Sequence, residues 1–353
     1  MKKSTLIVTC SAAAVFIAVL IVASFYDLQI NIALGNADSV YGQFFRLFGE
    51  LVSWALIPFC AGILMRMANR KTKAGIVLTV VWAAGLIVGW YLTMNYVLKQ
   101  FTGKSYIEGI YASPYDAITL YSVVFALIFS GLHAWAAFRM KEETARKLIF
   151  FAVAMIIALA LSQLVCEVMK KIWTRQRFRN LDIGNGGTSS DGFSPWYKPG
   201  LGKNKAAATY YVEDTAGMPK SDAYKSFPSG HSASAALMFG LVMLPELFDK
   251  LKKYKIAFWI APALFTVAVM ISRIVNRAHY LSDVLFGGTI GALSVLAGVQ
   301  LTKLMKKAIG KNKFFTAAAN AFGVDTASYV PVADAAKEEA VTEEVVTAEE
   351  NKD

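Results

Sequence analysis

The chain alternates between long apolar runs and short polar connections along most of its length. Eight runs of about twenty residues are dominated by apolar side chains. They cover residues 5–26, 50–67, 74–98, 117–138, 148–168, 230–248, 256–275 and 281–304. A helix of about 20 apolar residues crosses the hydrocarbon core of a bilayer, which is about 30 Å thick. The pattern therefore predicts an all-α, polytopic membrane helix bundle with about eight transmembrane helices.

Composition supports the same class of protein. Hydrophobic residues make up 56% of the 353 residues and charged residues 17%, and the mean hydropathy is +0.45. Soluble domains contain about 45–50% apolar and about 25% charged residues. The composition therefore excludes a soluble, fibrous or disordered class for most of the chain.

Basic side chains are concentrated in alternate connections between the runs. The formal net charge is +11, and Lys and Arg cluster at the N-terminus and after the second, fourth, sixth and eighth runs. This distribution is typical of membrane loops, so we predict no nucleic-acid partner. Because such clusters stay on the cytoplasmic side, we predict a multi-pass plasma-membrane protein with both termini cytoplasmic. The connections 27–49, 99–116, 169–229 and 273–280 then face outward.

The first run also has two features of a cleaved signal peptide, a basic start and small residues. Its apolar stretch is long, however, and no small-residue cleavage site closes it, so we predict a retained helix. Two polar segments lie outside the runs. Residues 178–226 form an outward loop of the length that tends to be functional or disordered. From Asp325 the tail carries nine acidic residues and two lysines, which predicts a disordered acidic extension.

Ionisable residues are costly near hydrocarbon, and here they gather at the outward ends of the last four runs. Lys170 and Arg177 follow the fifth run, and Pro228-Ser229-Gly230-His231 opens the sixth. A helix that begins with such a sequence exposes free backbone amides, which bind phosphate well. Taken alone, these residues also fit snorkelling anchors and an ordinary helix cap.

The ends of the seventh and eighth runs add a second group of polar residues. Ser272 and Arg273 end the seventh run, and His279 and Asp283 stand four residues apart at the start of the eighth. At that spacing both side chains share one helix face, so the carboxylate can accept the ring Nδ1–H and leave Nε2 as a nucleophile. A structural His–Asp pair is the alternative. His133 lies away from this cluster, and we interpret it as structural.

In order along the chain, these residues resemble the three-part signature of the type 2 phosphatidic acid phosphatase (PAP2) superfamily, K-x6-R-P, P-S-G-H and S-R-x5-H-x3-D. The matching residues are Lys170 to Arg177, Pro228 to His231, and Ser272 to Asp283. Phe178 stands where the family has proline, which affects the expected loop geometry more than the chemistry. The resemblance covers residues 74–304 and implies a six-helix catalytic core. It leaves residues 1–73, with two transmembrane helices, outside that core, and residues 305–353 as a cytoplasmic basic segment with the acidic tail.

The resemblance implies a role for each matching residue. His279 is the nucleophile that forms a phosphohistidine, Asp283 orients it, and His231 is the general acid and then the base. The phosphoryl oxygens are bound by Lys170, Arg177, Ser229, Gly230 and Arg273. Cys10, Cys60 and Cys166 form no spaced pair, and no ligand set has metal spacing, so we expect no metal and no cofactor.

The expected substrate is a lipid phosphate or pyrophosphate monoester that is hydrolysed at the outer membrane surface. Phosphatidic acid, phosphatidylglycerol phosphate and a polyprenyl pyrophosphate such as undecaprenyl pyrophosphate all fit. One alternative is a lipid phosphotransferase that passes the phosphoryl or head group to another acceptor. A second alternative is a transporter that binds an anion without chemistry.

Overall fold

The computed structural model describes residues 3–101, 114–201, 220–324 and 326. The described residues form helices and contain no strand. The long helices are α1 (Lys3–Leu34), α2 (Val40–Met67), α3 (Lys73–Phe101), α4 (Pro114–Arg139), α5 (Glu142–Trp173), α9 (Ala257–Val275) and α10 (Leu281–Ala308). The short ones are α6 (Lys220–Ala223), α7 (Gly230–Ala236), α8 (Leu244–Leu247) and α11 (Lys313–Ala321). The 3-10 turns are Phe178–Asn180, Ile183–Asn185, Leu237–Met243 and Asp249–Tyr254.

Seven helices in the described part of the chain are long and apolar enough to cross a membrane. Their outward faces carry large exposed apolar side chains such as Val80, Leu120 and Leu264, as expected for surfaces that contact lipid. The all-α, polytopic prediction is therefore confirmed, and the protein is a multi-pass membrane protein.

The sixth predicted span, 230–248, is helical but not continuous, so the prediction of eight regular spans needs correction. It divides into α7, the 3-10 turn Leu237–Met243, and α8. Pro245 explains the break, because it has no N–H to donate to Leu241 and its ring would clash with that carbonyl in a regular α-helix. Pro245 lies instead in the first turn of α8, where proline is tolerated.

The broken segment still runs the length of the bundle. It begins at Gly230, and α9 returns to the same end, where the carbonyl of Arg273 in its last turn accepts the amide of His279. Because α9 has 19 residues and rises about 1.5 Å per residue, the chain from 230 to 256 must descend a similar distance before α9 starts.

Glycines allow α10 to pack directly against the start of α7. A Cβ at Gly287 would lie 2.3 Å from the Ser229 carbonyl oxygen, and a Cβ at Gly291 would lie 2.2 Å from that of Ala233. Both distances are far below van der Waals contact, so these backbones approach only because the side chains are absent. This packing fixes the Pro228–His231 turn against the first turns of α10.

Three predictions fall partly on chain that is not described. The residues outside the described part are 102–113 of the predicted outward connection 99–116, 202–219 of the predicted outward loop, and 325 and 327–353 of the predicted acidic tail. The described part of the loop comprises residues 178–201 and 220–226. Its first stretch packs against the end of the bundle, where the amides of Gly200 and Leu201 donate to the carbonyls of Trp173 and Ile172.

Candidate active site

The eight predicted site residues lie at one end of the bundle and are linked by contacts. His279 contacts Arg177, and its amide bonds the carbonyl of Arg273. The amide of Ser229 donates to the backbone carbonyl of Asp283 at 2.9 Å. A Cβ built on Gly230, the neighbour of His231, would lie 3.4 Å from Lys170 Nζ. The structure thus brings together residues that are up to 113 positions apart.

The hydrogen bonds of His279 define its tautomer. Nε2 lies 2.9 Å from Nη1 of Arg177, and a guanidinium can only donate. Nε2 is therefore the acceptor, and the ring proton is on Nδ1, which lies 2.6 Å from the carbonyl oxygen of Ser226. The ring is 2% exposed. Burial, followed by the positive charges of Arg177 and Arg273, lowers the pKa of His279 well below its ordinary value, so Nε2 is unprotonated at neutral pH and its lone pair accepts from Arg177.

Asp283 does not accept the Nδ1 proton, contrary to the expectation from spacing. Its Oδ2 lies 3.7 Å from Nδ1, beyond hydrogen-bond distance. The carboxylate accepts instead from the hydroxyl of Ser226 and from the amide of Tyr280. Because α10 starts at Leu281, Asp283 lies in its first turn and caps it. Asp283 thus fixes the side chain of Ser226, and the backbone carbonyl of Ser226 orients the imidazole ring of His279.

Arg177 is held between His279 and an acidic residue that the motifs do not include. Its Nη2 lies 3.2 Å from Asp222 Oδ1, and its Nη1 donates to the carbonyl of Ala278 at 3.1 Å. Asp222 also pairs with Arg179 at 3.2 Å. Burial acts to raise the pKa of Asp222, but the positive charges of Arg177 and Arg179 outweigh it and hold that pKa below its ordinary value. Asp222 is therefore ionised at neutral pH.

The Pro228–His231 turn forms the N-terminus of α7. Ser229 is the N-cap, and its hydroxyl oxygen accepts from the amide of Ser232 at 3.3 Å. The Ser229 side chain is fully buried, so in this structure it caps the helix. Gly230 follows as the first helical residue, and the His231 ring faces the same end of the bundle with 17% of its side chain exposed.

Lys170 and Arg273 come from the last turns of α5 and α9. The spacing of four residues between Glu167 and Lys171 would allow an ion pair, but Glu167 pairs with Lys170 instead. Lys170 Nζ bonds Glu167 Oε1 at 2.7 Å, and the Lys170 side chain is 14% exposed. The i,i+3 pair forms because residues three apart also meet on a helix surface. Arg273 is 3% exposed and its charge acts on both histidines.

The motifs also miss an ion-pair network beneath the site. Arg175 is buried and bonds Asp283 Oδ1 at 2.6 Å and Asp27 Oδ2 at 2.9 Å. Asp27 comes from α1, and it also accepts the amide of Ser282 at 2.9 Å and the hydroxyl of the same serine. A buried guanidinium without a partner strongly destabilises the folded state. The ion pairs with Asp27 and Asp283 therefore stabilise the buried side chain of Arg175.

Glu50 of α2 is the second residue from the N-terminal helices. Its Oε2 lies 3.4 Å from Nε2 of His231. Helices α1 and α2, predicted to lie outside the family core, therefore both contact the site. One sequence signal could have found Asp27 and Glu50: each is an ionisable residue at the edge of an apolar run, where charge is costly and is often functional.

The arrangement combines two imidazoles with three cationic side chains at a helix N-terminus. Lys170, Arg177 and Arg273 supply fixed positive charge, and the free amides of α7 add donors for an anion. Such a site is suited to a phosphoryl group, with a neutral imidazole on one side and a second imidazole nearby.

Comparisons with known proteins agree with this geometry. Residues 151–306 match the model of the PAP2 superfamily. The match begins in α5, so α1 to α4 lie outside it.

The chain is also similar to phosphatidylglycerophosphatase B of Bacillus subtilis (strain 168), with 37% identity over 70 residues. The aligned segment covers 19% of this chain and 34% of the relative, so the chain spans about a third of the length of the curated relative that it matches. No solved structure matches the chain significantly.

Proposed function

We propose that this protein is an integral-membrane phosphatase that hydrolyses a lipid phosphate or pyrophosphate monoester through a phosphohistidine on His279. The observation that carries the proposal is the state of the His279 ring. Its Nδ1–H is held by the Ser226 carbonyl, and its unprotonated Nε2 faces the Arg177 guanidinium. A neutral, oriented imidazole beside a phosphate-binding cation is what nucleophilic attack on phosphorus requires.

In the proposed reaction, the lone pair on Nε2 of His279 attacks phosphorus and forms an N–P bond. The bond between phosphorus and the lipid oxygen breaks, and protonated His231 gives its proton to that oxygen. Arg177, Lys170 and Arg273 stabilise the charge on the three remaining phosphoryl oxygens. Neutral His231 then takes a proton from water, the hydroxide attacks phosphorus, the N–P bond breaks, and inorganic phosphate leaves.

An apolar cavity supports a lipid as the substrate. It has a volume of about 440 Å³ and is lined by side chains of α2, α3, α4, α5 and the 3-10 turn after α7. Val52 lies two residues after Glu50, and Leu237 lies six residues after His231, so the cavity begins below the site on the bilayer side. His133, which accepts from the indole N–H of Trp90 at 3.3 Å, lines this cavity.

Substrate identity and membrane side are also part of the proposal. The name of the Bacillus relative favours phosphatidylglycerol phosphate over phosphatidic acid and a polyprenyl pyrophosphate. The basic connections support an extracytoplasmic site and cytoplasmic termini, because they meet at the opposite end of the bundle. There the amide of Asn69 bonds the carbonyl of Ala321, and Arg146 bonds that of Gly323.

Phosphate release from phosphatidylglycerol phosphate by the detergent-purified protein tests the proposal. We expect stoichiometric phosphate from wild type and a loss of at least about 10³-fold in His279→Ala, as expected when a nucleophile is removed. The Glu246→Gln variant, which changes an exposed residue paired with Lys255, is the control and keeps wild-type activity. EDTA leaves the rate unchanged if the reaction needs no metal.

The two alternatives give different outcomes in the same assay. A phosphotransferase releases no free phosphate but labels an added acceptor lipid, and a transporter turns over nothing. Wild-type activity in His279→Ala would contradict the proposed mechanism.

A further inference from the structure

Glu50 comes from outside the segment that matches the family, yet its carboxylate faces the candidate site. The carboxylate lies 3.4 Å from Nε2 of His231, with 30% of its side chain exposed. Among the described residues, Nε2 of His231 has no hydrogen-bond partner. Burial disfavours the charged form of this carboxylate, whereas the positive charges of Lys170, Arg273 and Arg177 favour it, so the carboxylate lies within the charge cluster of the site.

The backbone around Glu50 is fixed to the helix that carries His231. The hydroxyl of Ser234, three residues after His231, donates to the carbonyl of Glu50 at 3.1 Å. The same hydroxyl oxygen accepts from the amide of Ser53 at 3.1 Å. Gly49 brings α2 close to α9, since a Cβ there would lie 2.7 Å from a methyl carbon of Val269. The Ser234 hydroxyl and the close packing at Gly49 thus fix the backbone of Glu50 relative to His231.

The charges around His231 explain why a carboxylate is needed there. The proposed reaction requires a protonated His231 when the lipid oxygen leaves. Burial, followed by the positive charges of Arg273, Arg177 and Lys170, disfavours a positive charge on this ring. In the described part of the chain, Glu50 is the acidic side chain within ion-pair distance of the ring. A carboxylate 3.4 Å from Nε2 stabilises the imidazolium.

We propose that Glu50 is a positioning residue that holds His231 protonated and oriented toward the oxygen of the leaving group. This inference rests on the proposed function. It assigns α2, which the family match does not cover, a part in the reaction: α2 supports the general acid, while residues 151–306 supply the nucleophile and the phosphate ligands.

The test uses two substrates that differ in their need for an acid. Para-nitrophenyl phosphate has a good leaving group that departs without a proton, whereas a lipid phosphate leaves as a poor alkoxide. We expect Glu50→Gln in the full chain to lower kcat for phosphatidylglycerol phosphate by about 10²-fold, within the range of general acid catalysis. The variant changes kcat for para-nitrophenyl phosphate by less than about threefold. Glu50→Asp recovers part of the loss, and the control Glu246→Gln matches wild type on both substrates.

A double-mutant cycle with His231→Ala separates a positioning role from a structural one. If Glu50 acts through His231, adding Glu50→Gln to His231→Ala lowers the rate no further. The Ser234→Ala variant removes the hydroxyl that fixes the backbone of Glu50 but keeps the carboxylate of Glu50 and the imidazole of His231. We expect it to lower kcat for the lipid substrate and not for para-nitrophenyl phosphate.

Equal losses on both substrates, or additive losses in the cycle, would overturn the role of Glu50 and leave the proposed function standing. A wild-type protein that releases phosphate from neither substrate would overturn both.

Discussion

The carbonyl of Ser226 fixes the proton of the His279 ring on Nδ1. The spacing of residues along the sequence does not predict this hydrogen-bond partner. The two residues His279 and Asp283 lie within 3.7 Å of each other, but they do not share a helix face as their spacing predicted, because α10 begins only at Leu281. Their hydrogen-bond geometry depends on Ser226, which lies 53 positions before His279 and becomes its neighbour only after folding. The clustering of the motif residues at one end of the bundle was predictable from the motifs, whereas their hydrogen-bond partners were not.

Asp222 gives a prediction about pH at the same scale. Its pKa is lower in the folded protein than its ordinary value of about 3.9, because Arg177 and Arg179 outweigh the effect of burial. The ionised carboxylate therefore stabilises the folded protein at pH values above about 5, and this contribution is lost as the pH falls toward the folded-state pKa. The amide side chain introduced by Asp222→Asn does not titrate, so the variant lacks this contribution at every pH.

The melting temperature in detergent checks this prediction. Wild type should unfold a few degrees above Asp222→Asn, with a constant difference between about pH 8 and pH 5 that shrinks below about pH 4. Glu246→Gln removes an exposed ion pair and serves as the control, with a small difference from wild type throughout. A difference that grows as the pH falls would mean that Asp222 is not held ionised by the two arginines.

At the scale of helices, the sequence predicts well which segments are helical, but it predicts less well whether a helix is continuous. All eight apolar runs lie in helical chain, and the observed helices extend past the predicted edges by several residues, as in α5 and α10. Hydropathy detects the apolar core of a span but not its polar ends, where Lys170 lies. The break in the sixth span is caused by one residue, Pro245. It removes a single backbone hydrogen bond of the helix, and a hydropathy pattern does not detect such a local change.

Gly287 tests how the elements position the site. The substitution Gly287→Ala places a Cβ 2.3 Å from the Ser229 carbonyl, so α10 and the N-terminus of α7 must separate. We expect a lower melting temperature and a loss of phosphatase activity of at least about tenfold, because a small displacement of reacting groups is costly. Gly131→Ala in α4, where a Cβ meets nothing within 4 Å, is the matched control and leaves both unchanged. Equal behaviour of the two variants would contradict the packing argument.

At the scale of the whole molecule, the bundle has two chemically different ends. One end holds the two histidines and the connections that carry them, and the other holds the basic connections. Charge clusters along the sequence predicted this segregation, because alternate loops of a multi-pass protein meet at the same face. The contributions of α1 and α2 to the site were not predictable in this way, since they depend on how these helices pack against α7, α9 and α10.

The apolar cavity provides a prediction that depends on the whole bundle. Ala55 of α2 lines it, and Ala55→Trp fills much of its volume. If a lipid chain occupies the cavity, the variant should raise KM for long-chain phosphatidylglycerol phosphate by about tenfold or more, corresponding to at least about 1.4 kcal/mol of lost binding. The rate with water-soluble para-nitrophenyl phosphate should stay within about twofold. Equal effects on both substrates would show that the cavity does not bind the chain.

Trapping a covalent intermediate tests the central claim most directly. The full-length protein is mixed with substrate labelled on the phosphorus, quenched in alkaline detergent within milliseconds, and separated from free lipid. The account predicts label on wild type that survives alkali and is lost in acid, as expected for a phosphoramidate, and no label on His279→Ala. Label that persists in His279→Ala, or phosphate release by wild type with no labelled protein at any time, would contradict it.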